Sequence, residues 1–207
     1  MRATASILLL ALALWLATIA AVGTAAMAAF ASLPKMGIQI EAVRPFFGAD
    51  TAEMGRYAAG HMLQPVFQAG DWVQYALAAA SVSCTLRLLR AGGASGAPRW
   101  AGALLLALVA AAAALLAWRA WSMPAMQADL ARYWSAVEAN DPATATAAKA
   151  SFDAAHRTAE AGYNAQLLLV LLAIPAALLA VMPARMRAPA PATAGGSAPV
   201  TGAFRAE

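Results

Sequence analysis

Three runs of the chain carry no charged residue: Ile7 to Ala31, Trp100 to Trp118 and Ala161 to Ala184. Each is long enough as a helix to cross a hydrocarbon core of about 30 Å, which takes roughly 18 or more apolar residues. A fourth run, 66–86, is apolar apart from Asp71 and several polar amides and hydroxyls. The pattern predicts an all-α protein with four transmembrane helices, at 7–31, 66–86, 100–118 and 163–183. The third has the sharpest limits, because Trp100 and Trp118 frame it. The rise between them is about 25 Å, the separation of two interfacial aromatic belts. Gln64-Pro65 opens the second span, with proline in the first turn, and Pro175 is expected to kink the fourth.

Between the spans, 32–65 and 119–162 fall on one side and the short loop 87–99 on the other. Met126, Leu130, Tyr133 or Trp134, and Val137 recur at three- and four-residue steps, an amphipathic helical pattern. Asn140-Asp141-Pro142 reads as a turn followed by a capped helix start, and 143–157 consists mostly of good helix formers. The third and fourth helices are therefore expected to continue about 20 residues, roughly 30 Å, beyond the bilayer as an outer hairpin over 119–162. The alternative is that 124–138 lies flat on the membrane surface. In loop 32–65, Asp50 is placed to cap a short helix ending near His61. Gly92-Gly93-Ala94-Ser95-Gly96 lacks the Lys-Ser/Thr of a phosphate loop and reads as a tight turn. Residues 1–183 form one membrane domain, and the Pro/Ala/Gly-rich 184–207 reads as a disordered cytoplasmic tail.

Composition supports a place in lipid. The 207 residues are 62% hydrophobic and 12% charged, against about one-quarter charged for a soluble domain. The net charge of +4 resolves by side. Arg2, Arg87, Arg90, Arg99, Arg185, Arg187 and Arg205 face one side with Glu207 as the sole acid. The remaining seven basic and nine acidic residues face the other. The basic side, at +6, is cytoplasmic by the positive-inside rule, so both termini are cytoplasmic and the outer side carries −2. The protein is expected in the cytoplasmic (inner) membrane with the bilayer as its first partner; the basic balance is topology and implies no nucleic acid. Signal-peptide cleavage near Ala26-Met27-Ala28 is an alternative fate for the first helix, but its apolar run exceeds the usual 7–15 residues. Cys84 stands alone, which excludes a disulfide framework. With two histidines and no catalytic motif, neither a metal site, a cofactor nor an enzyme is expected.

The scarce polar residues gather in two stripes. One runs along the second helix through Gln64, Gln68, Asp71 and Gln74 or Tyr75. The other runs along the fourth through Asp153, His156, Glu160, Tyr163 and Asn164. Both lie at the outer ends of their helices, and Gln68, Asp71, His156, Glu160 and Asn164 form the candidate functional cluster if the stripes meet. Asp71 is the sharpest member: an acid about one turn inside a span seeks a partner or cavity, unless Trp72 marks the interface and Asp71 lies among headgroups. His156 with Glu160, and Asp153 with Arg157, are equally the (i, i+4) pairs of a solvated helix.

Arg119-Ala-Trp-Ser-Met-Pro124, followed by Asp141-Pro142, Phe152-Asp-Ala-Ala-His156 and Asn164, resembles the four-helix membrane family termed "domain of unknown function 4149", akin to eukaryotic transmembrane protein 205. The plan covers 1–183 and the residue-level similarity 119–170. The resemblance implies a four-helix membrane fold, marks Arg119, Pro124, Phe152, His156 and Asn164, and brings no established reaction. Two functions are then expected to compete, with a membrane enzyme using His156 and an adjacent carboxylate placed last. One is a non-enzymatic module whose outer hairpin binds a membrane-protein partner or assembles as a homo-oligomer. The other is an oligomeric transporter for an ion or small solute that uses Asp71 and His156.

Overall fold

A computed structural model describes residues 2–91 and 98–181. The Gly92–Gly96 turn, the last two residues of the fourth predicted span and the tail 184–207 lie outside them. Five α-helices and two 3-10 turns account for nearly all described residues, with no strand among them. They are α1 (Arg2–Ser32), the short α2 (Arg44–Phe47), α3 (Thr51–Arg90), α4 (Arg99–Glu138) and α5 (Pro142–Val181).

Among the described residues three helices are long and apolar enough to cross a membrane: α1 with its 3-10 continuation to Lys35, α4, and α5. The helix that carries 66–86 is not among them, because Gln68, Asp71 and Gln74 dilute its apolar run. The 50–61 helix is longer than its local pattern indicates. Asp50 caps it as expected, accepting from the N–H groups of Ala52 and Glu53 at 3.1 and 3.0 Å. The helix then passes through Pro65 to Arg90, so Pro65 is interior rather than in a first turn. Proline in a helix interior removes one N–H donor and bends the axis, costs that packing against neighbouring helices offsets here.

Residues 124–138 belong to α4 and form no separate surface helix; Pro124 is interior as well. Asn140 adopts a positive φ of 53° to reverse the chain. Asp141 accepts from the N–H groups of Ala143 and Thr144, so α5 starts at Pro142 with its first turn capped. The α4–α5 hairpin then packs along its whole length. Ser151 donates to Asp129 at 2.6 Å near the turn, Gly162 lets Trp118 approach lower down, and Val109, Ala112, Val170 and Ala173 share a core lower still.

α1 lies against α3 and α5, and α4 against α5 and α3. Two glycines of α3 allow close approach, Gly70 to α1 and Gly55 to the 3-10 turn that follows it. A Cβ at Gly70 would sit 2.7 Å from Val22 Cγ2, and one at Gly55 would sit 2.6 Å from the Leu33 carbonyl oxygen. Two cores result. The larger one joins Leu8, Leu12, Trp15 and Ile19 of α1 to Leu105, Val109 and Leu116 of α4 and to Val170 and Ala173 of α5. The smaller one, at the hairpin end, joins Val43, Met54, Tyr57, Trp134, Val137 and Ala145. That second core makes a folded head of the 40–61 segment and the hairpin tip.

Candidate functional site

Asp71 lies at the edge of the α3 face that meets α4. Its carboxylate accepts from Arg119 Nη2 at 2.6 Å, with both side chains nearly closed off at 13% and 9% exposure. Arg119 Nη1 donates to Gln166 Oε1 of α5 at 3.1 Å, and Gln166 Nε2 donates to Gln74 Oε1 of α3 at 2.9 Å. Gln74 and Gln166 are fully buried. Tyr163 completes the cluster. Its ring receives the Arg119 guanidinium at 4.8 Å, and its hydroxyl donates to the Ile19 carbonyl of α1 at 2.8 Å. The network therefore touches all four long helices. A buried arginine spreads its charge over a planar fork of five donors, and here one carboxylate, one amide and one aromatic face share it.

The polar stripe on α3 contributes unevenly, and helix geometry explains why. Steps of four, three and three average less than 3.6, so the stripe turns as it descends. From Gln68 to Gln74 it rotates by roughly 120°. Gln68 is exposed, Asp71 mostly covered and Gln74 buried. The α5 stripe divides similarly. Tyr163 enters the network, while His156, Glu160 and Asn164 are exposed. His156 stacks on Phe152, centroids 5.2 Å apart, and Asp153 accepts from Lys149 at 2.7 Å. Among the expected cluster residues, then, only Asp71 belongs to the network. Of the positions marked by the family resemblance, Arg119 is at its centre and Pro124, Phe152, His156 and Asn164 lie outside it.

The residues missing from the sequence reading as partners, Arg119 and Gln166, had a usable signal. Each continues the buried stripe of its own helix: Leu105, Val109, Ala112, Leu116, Arg119 on α4, and Gln166, Val170, Ala173, Ala177 on α5. Further along the α3 stripe, Ser81 and Thr85 are fully buried, and neither their hydroxyls nor the Trp15 Nε1 has a hydrogen-bond partner.

A second polar group sits in the head. Tyr57 donates to Glu138 Oε1 at 3.0 Å, and the His61 imidazole stacks on Trp134 with centroids 3.7 Å apart. Burial and the Glu138 carboxylate push the Tyr57 phenol up, well above its usual value. Burial pushes His61 below 6.5, against an opposing pull from Glu138. Beside them Ile40, Ala42, Val43, Ala58 and Met62 complete a shallow pocket of about 350 Å³. No group of three or more His, Cys, Asp or Glu side chains among the described residues is placed to hold a metal ion. Comparison with protein families, with curated proteins and with solved structures finds no match.

Proposed function

We propose that the protein is a non-catalytic, multi-pass module of the cytoplasmic membrane. Four spans hold both termini in the cytoplasm, and the head formed by the hairpin and the 40–61 segment docks a membrane-protein partner on the outer side. The observation that carries this reading is the second core around Tyr57, Trp134 and Val137. A chain that served only as an anchor has no use for a separately packed head whose nearest α3 core residue, Tyr57, lies about 21 Å along the helix from Asp71. Trp72, Trp118 and Trp121 support the proposed depth. They lie on the chain's surface at the level of Asp71 and Arg119, 72%, 40% and 86% exposed, where an interfacial belt would put them. On this reading the α3 helix is the fourth span, and the pairing of Asp71 with Arg119 is what allows so polar a helix to enter the membrane. The four-helix family resemblance is part of the same proposal.

Phe152 and His156, stacked on the exposed side of α5, are the natural place to look for the partner. A photo-crosslinker at His156 in cells should capture one membrane protein, and Phe152→Ala should abolish capture without lowering the amount of folded protein. Capture of only a second copy of the chain would assign the surface to self-assembly. No capture from any head position would sink the reading.

The second reading is an oligomeric permeation protein. One observation favours it: one face of α3 carries Asp71, Gln74, Ser81 and Thr85 over about 21 Å, interrupted by Ala78, and the last two end in buried hydroxyls without protein partners. Solute flux in vesicles that Asp71→Asn or Ser81→Ala removes would establish it in place of the first.

A further inference from the structure

The head pocket pairs apolar walls with a single charge. Ile40, Val43 and Met62 supply hydrocarbon surface, and the titratable side chains of the lining besides Tyr57 are Glu138 and His61. The Glu138 carboxylate already accepts the Tyr57 hydroxyl, which leaves its other oxygen and remaining lone pairs available. Two aromatic rings, Tyr57 and His61, stand beside it with centroids 4.5 Å apart. Trp134 backs the imidazole, and burial favours its neutral form, so His61 adds no opposing charge at neutral pH. Carboxylate, aromatic faces and apolar walls together are the chemistry that holds an organic cation. The volume of about 350 Å³ falls in the range of small-ligand sites.

We infer that this pocket binds a small amphiphilic amine, its ammonium group against Glu138 and the Tyr57 and His61 rings, and its hydrocarbon body against Ile40, Val43 and Met62. The inference shares Tyr57 and Trp134 with the core of the head but needs no docked partner, since partner capture is sought at Phe152 and His156 and the amine at Glu138. Only the compartment that supplies the amine follows from the proposed orientation.

The full chain in dodecyl maltoside micelles, which carry no charged headgroup, is titrated with hexylamine, hexanol and hexanoate. The readout is the imidazole resonances of His61. With two histidines in the chain, these are assigned by His156→Gln. Hexylamine should shift His61 saturably and leave His156 unchanged, binding about tenfold tighter than hexanol, the size of a partly exposed ion pair plus a cation–aromatic contact. Hexanoate should bind worst. Glu138→Gln, which keeps a carbonyl for Tyr57, should bring hexylamine to the level of hexanol. If that variant loses the upfield ring-current position of His61 and has therefore unpacked, the three-ligand comparison on the native chain decides alone. Equal affinity for amine and alcohol, or an unmoved His61, would overturn the inference. So would phosphatidylethanolamine added to the micelles shifting His61 and blocking hexylamine, an outcome that would assign the pocket to a lipid headgroup.

Discussion

The Asp71–Arg119 pair concentrates the energetic risk of this chain in two side chains. Withdrawing charges from water is costly, and a buried pair repays the cost only while both members remain. Asp71→Ala alone or Arg119→Ala alone should destabilise by about 3–5 kcal/mol, read as an earlier unfolding midpoint in mixed detergent micelles. Asp71→Leu with Arg119→Met should recover most of that loss, because the surviving neighbours Gln74 and Gln166 still bond each other. If the double variant is as weak as the singles, the pair does more than satisfy its own charges. His61 offers a test in the head. Its folded value is lowered by burial and raised by Glu138, so its titration midpoint should lie below 6.5, and Glu138→Gln should move it lower still. A group depressed in this way binds fewer protons folded than unfolded. The head is therefore most stable above 6.5 and loosens as pH falls from there towards the folded value. An imidazole midpoint above 6.5 would mean that the Glu138 carboxylate outweighs the partial desolvation of a ring stacked on Trp134. Asp71 was legible from sequence because acids in apolar runs are rare. Arg119 itself continues the periodic stripe of α4, but its pairing with Asp71 was not legible, because the two are 48 residues apart and Trp118 reads as the end of a span.

At the scale of helices, spacing of small residues decides who packs on whom. Gly70 admits Val22 at a distance that any Cβ would contest. Gly70→Ala should cost about 1–3 kcal/mol by overpacking, and Val22→Ala should relieve most of it, since the obstruction is a side-chain methyl. Gly55→Ala meets backbone of Leu33 and Pro34, so no single side-chain change should rescue it. Equal rescue at both sites would mean that the two helices slide rather than interlock. The caps at Asp50 and Asp141 and the extent of the hairpin followed from local pattern alone. The continuity of α3 through Pro65 did not. Proline ends a helix by default, and only neighbours on both sides of the kink make an unbroken helix the better arrangement.

The described residues divide into a long apolar part and a compact head, and the proposed four-span topology has a direct test. A cysteine introduced at Gly93 should react with a membrane-impermeant thiol reagent only after the membrane is opened, and one at Asn140 should react at once; the reverse pattern would invert the orientation, and equal access would remove a span. The sequence determined which long stretches are helical, where two of them are capped and which three runs are free of charge, but not that α3 runs unbroken through Pro65. Those properties depend on residues within a turn or two of each other, where periodicity and charge are informative. The tertiary structure alone decided which polar groups meet: Asp71 with Arg119, Gln166 with Gln74, Tyr57 with Glu138, and His156 with none of them. That outcome depends on the register between helices far apart in the chain, set by contacts such as Gly70 on Val22 and Gly162 on Trp118, and a shift of one turn, about 5 Å, would give every polar side chain a different partner.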